Sequence, residues 1–308
     1  MDINRGVKPV DYKKLIKSRE LRIRILQLLN FVPDKLMVSL QYRIKLGRWP
    51  DLKNPKRYSE KLQWYKLYYR DDKMKRCVDK YEVREYIRRC GLCDILPKCY
   101  GVYSSPDEVD FDLLPKSFVI KDTLGSGGNS VIIVKDKEKV CIEELIKKMH
   151  TWVNQPVHLK NPGREWVYDH MQHRIIIEEY LNEPDEELKD YKFFCFNGKV
   201  ACVYVIANRI LGGHGELAIM DENFVRIPYQ STTQNVMREN PEKPQTFETM
   251  KKLAEQLSAG FPHVRVDLYS LGSRVVFGEL TFFGASGYMK YEPDEFDFIL
   301  GGAFALPK

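Results

Sequence analysis

One stretch, HVRVDLYSLGSRVVFGELTFFGASGY at residues 263–288, constrains this chain more than any other. Two runs of strand-forming residues, Val264 to Tyr269 and Arg274 to Phe283, flank the turn residues SLGS, a pattern that predicts a β-hairpin. Asp267 and Glu279 lie inside those runs. A carboxylate in a buried strand must be paired, hydrogen-bonded or metal-bound, because burial strips its hydration. The hairpin brings both acids to one level on adjacent strands, with Arg265 and Thr281 two residues away on the same face. Hard oxygens grouped in this way suit Mg2+, which takes its remaining ligands from phosphate and water. The competing reading is a cross-strand ion pair between Arg265 and Glu279.

A second constellation is VIKDTLGSGGNSVIIV. Lys121 ends a strand, and Gly125, Gly127 and Gly128 line the turn into the next. Glycine lets backbone N–H groups close around a phosphate, and a lysine at the loop's edge neutralises charge. The loop is no Walker A motif, since GxxxxGK[ST] is absent, and no dinucleotide turn, since a strand follows it. The third stretch, RIIIEEYLN, runs an apolar strand into Glu178, Glu179, Tyr180 and Leu181, whose edge can present backbone groups to a flat base.

The charge is divided along the chain. Residues 1–89 hold 25 Lys/Arg and 11 Asp/Glu, a net of +14, while residues 90–308 hold 24 and 32, a net of −8. Residues 11–48 read as a pair of basic amphipathic helices broken at Pro33 and stopped at Gly47. They serve as a cap packed on the body, as a peripheral anchor on an anionic membrane or membrane-bound partner, or as both. Trp64, Tyr65, Tyr68 and Tyr69 interleave with cations, but their helical spacing assigns them to packing, and nucleic acid is not an expected partner. One helix is expected from Lys73 to Cys90. The polar N-terminus, the lack of eighteen consecutive apolar residues and seven scattered cysteines predict a cytoplasmic protein with reduced thiols. Neither CGLC at Cys90–Cys93 nor His170 with His173 has the further ligands of a metal site.

The stretches VDKYEVREYI, LPKSFVIKDTLGSGGN, IIIEEYL, DYKFFCFNGK, VRVDLYS and FGELTFFGASG span residues 78–288 and together resemble the TupA-like branch of the ATP-grasp superfamily, found among bacterial surface-polysaccharide proteins. The resemblance implies an α+β chain. Two ATP-grasp subdomains, at 76–180 and 181–308, grip ATP and follow a basic helical region at 1–75. It casts Lys80 and Lys121 as the ATP lysines, and Gly125, Ser126, Gly127, Gly128 and Asn129 as a loop closing over the phosphates. Glu178 falls near the adenine amino group, and Glu179, Tyr180 and Leu181 form the hinge that grips adenine. Lys192 is a further nucleotide contact. Asp267 and Glu279 become Mg2+ ligands, and Arg265 steadies the transferred phosphoryl group. Thr281 stands where the family has asparagine, so a weaker or water-mediated contact is expected there. The usual N-terminal α/β domain is not evident.

The activity implied is an ADP-forming carboxylate–amine ligase working through an acyl phosphate on a capsular or cell-wall polysaccharide precursor such as a uronic acid. Arg209, Ser286 and Gly287 are the expected substrate contacts, with Ser286 and neighbouring amides of GASG binding the carboxylate. A kinase acting on a sugar hydroxyl, a glycosyltransferase-associated role and an ATP-binding scaffold without turnover are the alternatives.

Overall fold

The strands β1 (Cys99–Tyr103), β2 (Phe118–Asp122), β3 (Val131–Val134) and β4 (Ile175–Glu179) form an antiparallel sheet in the order β1-β4-β2-β3 in the computed structural model. The model describes residues 17–126, 128–182, 188–208 and 213–307. Period-two alternation decides this sheet's faces. Phe118, Ile120, Ile175 and Ile177 pack with Leu145, Met149 and Trp152 of the helix Ile142–Val153. Lys121 and Glu178 therefore share the opposite face, where their side chains meet.

A second sheet carries the hairpin. Its strands are β5 (Asp190–Phe196), β6 (Lys199–Ala207), β7 (Glu216–Met220), β9 (Asn235–Val236), β10 (His263–Leu271) and β11 (Arg274–Thr281), in the order β11-β10-β5-β6-β7-β9. The short β8 (Gln230–Ser231) pairs with β12 (Tyr291–Glu292). Asn197 and Gly198 both take positive φ in the β5–β6 turn, as an Asn-Gly hairpin requires. Val264, Val266 and Leu268 of β10 enter the core. The helix Phe247–Ser258 packs on β5, β6 and β10, and Phe247 stacks on Phe193. The other face is roofed at one end by Tyr58, whose ring meets Phe194 and Phe196 edge-on. Arg265 and Asp267 occupy that same face toward its open end.

Helices are numbered from the first described one: α1 (Arg19–Leu28), α2 (Asp34–Leu46), α3 (Tyr58–Tyr68), α4 (Asp72–Val78), α5 (Val83–Arg89), α6 (Ile142–Val153), α7 (Phe247–Ser258) and α8 (Glu295–Ala303). Pro33 separates α1 from α2, and Gly47 ends α2 at φ 76°, as expected. Residues 11–16 of the expected first helix lie outside the described residues. Tyr58, Leu62 and Tyr65 of α3 are fully buried in the core of the second sheet. The Tyr42 hydroxyl, 2.8 Å from Ser59 Oγ, holds α2 to α3.

Two expectations are corrected. The single helix expected from Lys73 to Cys90 is two, α4 and α5. Asp79 between them is buried, and its Oδ1 accepts from the amides of Tyr81 (2.8 Å) and Glu82 (2.9 Å). A carboxylate used in this way competes with helix continuation. The hairpin turn is also tighter than SLGS: β10 runs to Leu271 and pairs it with Arg274, leaving Gly272 and Ser273 as the loop.

Candidate active site

On β10 and β11, Asp267 sits directly opposite Glu279, and Arg265 opposite Thr281. Immediately past this pair the register slips by one residue, so that Leu268 faces Phe277 and Gly278 is the extra residue of a bulge. A Cβ at Gly278 would lie 2.9 Å from the carbonyl oxygen of Asp267, so the close strand approach requires glycine there.

Arg265 organises the cluster. Its Nε and Nη2 donate to Asp267 Oδ1 and Oδ2, both at 2.7 Å, and Nη2 also donates to Glu279 Oε1 at 3.1 Å and Thr281 Oγ1 at 3.0 Å. Thr281 donates to Glu279 Oε1 at 3.2 Å. Lys192, opposite Asp267 on β5, donates to it from the other side and pairs with Asp190 at 2.6 Å. Burial opposes charge on Asp267, but Arg265 and then Lys192 outweigh it and hold the carboxyl below its ordinary range. Burial likewise opposes the Arg265 charge, which Asp267 and Glu279 restore and strengthen. The Arg265–Glu279 ion pair of the competing reading is thus present, inside a cluster of two carboxylates and one hydroxyl.

On the first sheet, Glu178 is buried and gripped twice. Lys121 donates to its Oε2 at 2.8 Å, and Arg84 of α5 donates to its Oε1 at 3.0 Å. Lys80 lies in the α4–α5 break and donates to the carbonyls of Gly125 at 2.5 Å and Thr123 at 3.4 Å. It therefore braces the base of the glycine loop. Burial lowers its pKa, and the charges of Glu279 and Asp122 partly offset that. Gly125 has no room for a side chain, since a Cβ would lie 2.7 Å from that of Ser130. Gly128 has φ 75°, Asn129 turns back on Ser126, and Gly127 lies outside the described residues.

At the end of β4, Glu179 receives Arg274 of β11 at 2.6 and 3.2 Å and the amide of Lys98 at 2.8 Å. The Arg274 hydrogen bonds lead in holding its pKa below the usual carboxylate value. Tyr180 and Leu181 follow it, half-buried.

Beyond β11, residues 284–287 form a tight turn in which Ala285, Ser286 and Gly287 all take positive φ. The Ser286 amide closes onto Phe283 O at 2.8 Å, and its hydroxyl donates to Glu165. The amide and hydroxyl of Ser286, two of the groups expected to bind a substrate carboxylate, are thus engaged within the chain. Lys66 of α3, 1% exposed, donates to the carbonyls of Gly163 (2.8 Å) and Ser286 (2.9 Å), and Gln63 donates to those of Ser286 and Gly287. Arg209 lies outside the described residues.

The model description TupA-like ATPgrasp matches residues 60–305. The chain belongs to the TupA-like ATP-grasp family. Similar solved structures include D-alanine–D-alanine ligase from Bacillus anthracis complexed with ATP, at 19% identity and TM-score 0.40, covering 67% of this chain and 55% of that one. A RimK domain ATP-grasp protein from Sphaerobacter thermophilus is similar at 11% identity and TM-score 0.41, covering 75% and 67%. The ATP-grasp ligase PsnB complexed with a minimal precursor is similar at 12% identity and TM-score 0.41, covering 83% and 66%. This chain thus spans little more than half the length of the Bacillus anthracis ligase. Among proteins of curated function, no relative matches.

In this ATP-grasp chain the expected residues fall into two neighbouring groups. Lys121 and Glu178 stand on the first sheet, with Lys80 in the α4–α5 break beside its glycine loop, while Lys192, Arg265, Asp267, Glu279 and Thr281 belong to the second. Arg84, Asp190 and Arg274 join them without having been singled out. Arg84 stands in the quoted stretch VDKYEVREYI, whose spacing does not show that its guanidinium reaches a glutamate 94 residues away. Nothing in the sequence pairs Ser286 with Glu165, 121 residues apart.

Proposed function

We propose that the protein is an ATP- and Mg2+-dependent ligase that joins an amine to a carboxylate on a surface-polysaccharide precursor such as a uronic acid, through an acyl phosphate. The observation that supports it is the Arg265–Asp267–Glu279–Thr281 cradle, backed by Lys192. Its donor set fits a hard divalent cation. Two carboxylates stand opposite each other, one of them held ionised, and the pocket between them is already shaped around a guanidinium. Asp267 and Glu279 would hold Mg2+, with Thr281 as a neutral oxygen beside them. When bound, the ion supplies charge neutralisation at the transferring phosphoryl group.

The chain's own residues do the rest by positioning and electrostatics, which is where phosphoryl transfer gains most. Lys121 exchanges Glu178 for a nucleotide phosphate, while Arg84 keeps Glu178 in place near the adenine edge. The 125–129 loop, braced by Lys80, supplies backbone amides. The Glu179 carbonyl and Leu181 amide grip the base. Arg265 neutralises the γ-phosphoryl group as a substrate carboxylate oxygen attacks phosphorus and ADP leaves. The amine then attacks the acyl carbon, and inorganic phosphate departs. Ser286 and the turn around it receive the carboxylate once the serine hydroxyl gives up Glu165.

On this reading the enzyme works in the cytoplasm. The test is incubation with ATP, Mg2+, uronic-acid glycans and a panel of amines, following ADP, phosphate and product mass. ADP with an amide product is the expected result. ADP with a phosphorylated glycan makes the protein a kinase instead, and ATP bound without consumption across the panel makes it a scaffold.

A further inference from the structure

The helix α2 is apolar on two sides. Met37, Val38, Tyr42 and Leu46 pack inward, whereas Leu36, Leu40 and Ile44 form an outward stripe at four-residue spacing, each at least 39% exposed. Leu28 and Phe31, just before it, are 77% and 82% exposed. An apolar surface of this extent on a soluble protein marks a place of contact. Its surroundings are strongly cationic: residues 17–57 contain eleven Lys/Arg against three Asp/Glu.

Beside the stripe, a groove of about 490 Å³ is lined by Lys35, Leu52, Lys53, Trp64 and Tyr68. Trp64 and Tyr68 lean together at 5.4 Å and 56°, on the side of α3 away from the buried Tyr58, Leu62 and Tyr65. Among the described residues, neither Lys35 nor Lys53 has a carboxylate within ion-pair reach of its ammonium group. The aromatic pair expected to pack in the core instead forms the wall of a cationic groove.

We propose that this face docks on an anionic lipid bilayer, with Leu36, Leu40 and Ile44 entering the acyl boundary and the Lys35–Lys53 groove taking a lipid headgroup phosphate. The combination of features selects this occupant. An apolar stripe rimmed by cations is the pattern of a helix lying in the membrane plane, and Trp and Tyr favour the headgroup level. Nucleic acid would use the lysines and leave the stripe in water. A second copy of the same face would bring like charge against like charge. No described helix is long and apolar enough to cross a membrane, so the contact is peripheral. None of the residues named for ligase chemistry takes part, so the proposal stands apart from that reading.

The test is co-sedimentation of the full chain with vesicles of phosphatidylcholine alone or mixed with phosphatidylglycerol. Binding is expected only to the mixed vesicles and weakens as salt is raised. The Lys35→Glu/Lys53→Glu variant should lose about tenfold or more in affinity for them. The Leu36→Ser/Leu40→Ser/Ile44→Ser variant should lose the salt-resistant part of binding, and tryptophan quenching by brominated lipid should fall in Trp64→Phe. All these side chains are at least partly exposed, and thermal melts verify folding. Equal binding to neutral vesicles, unchanged binding in both multiple variants, or capture of a soluble anionic polymer with no vesicle binding would each overturn the proposal.

Discussion

Asp267 and Glu279 face each other across β10 and β11 and share the guanidinium of Arg265, yet they live in different solvents: Asp267 is 1% exposed, and the Glu279 side chain is 41% exposed. The sequence pattern treats the two acids alike, each as one carboxylate inside a strand. The structure separates them. Asp267→Asn leaves Arg265 and Lys192 short of a buried anion and should cost about 3–5 kcal/mol. Glu279→Gln should cost less than about 1 kcal/mol. On the proposed mechanism both lower ADP-forming turnover by about 10²-fold or more. Thermal melts and ADP release measured side by side check this. Matching melts refute the burial argument, and near-normal turnover in both variants removes the metal assignment.

Gly278→Ala puts a methyl group against the Asp267 carbonyl and pushes the bulge open. A loss of about 1–3 kcal/mol is expected, together with a fall in turnover, since the bulge fixes the level of Glu279 against Asp267. A lowered melting temperature with unchanged turnover would show that the bulge does not set this geometry.

His263 gives the stability a pH dependence near neutrality. Its Nδ1 donates to Cys195 O at 2.9 Å and its Nε2 accepts from the Tyr58 hydroxyl at 2.9 Å, so the neutral ring is fully satisfied. Burial, opposed by the Cys195 hydrogen bond, pulls its pKa from 6.5 to about 3. The unfolded chain therefore takes up the proton first. Stability from this residue is complete above pH ~6.5 and drains as pH falls toward the folded value, by about 2 kcal/mol between pH 7 and 5. Urea titrations across that range should show the slope in wild type and a flatter profile in His263→Gln. An identical slope in the variant rejects the assignment.

Lys66→Met removes the donor to the Gly163 carbonyl and one of two donors to that of Ser286. A destabilisation of about 2–3 kcal/mol is expected. Because the 284–287 turn is proposed to receive the acceptor, KM for the carboxylate should rise more than kcat falls. Steady-state kinetics with the acceptor varied check the split, and unchanged KM would place the turn outside the acceptor site.

The hairpin and the glycine loop were legible because period-two alternation and turn residues are local signals, and a charged residue breaking such a pattern is conspicuous. Asp267, Glu279 and Arg265 declared themselves in that way. The α4–α5 break was not legible, because Asp79 looks like any helix-surface acid until its side chain is seen to cap the next turn. The partners of Glu178 and Ser286 were hidden for another reason. Arg84 and Glu165 reach them across separations of 94 and 121 residues, and no spacing rule spans such distances. Trp64 and Tyr68 misled through their spacing, since four residues along a helix describes an outward pair as well as an inward one.

The pairing of Lys121 with Glu178 and of Arg265 with Asp267 and Glu279 has a thermodynamic consequence. Each cationic side chain in these pairs is already neutralised by a carboxylate of the chain itself. On the proposed reading, a nucleotide that draws Arg265 away leaves Asp267 and Glu279 short of a cation, and a divalent cation that takes those carboxylates leaves Arg265 short of an anion. Arriving together, each compensates the group the other sets free. On the proposed reading, nucleotide and metal should tighten each other's binding by one common factor, as linkage demands of any two ligands that share a coupling free energy.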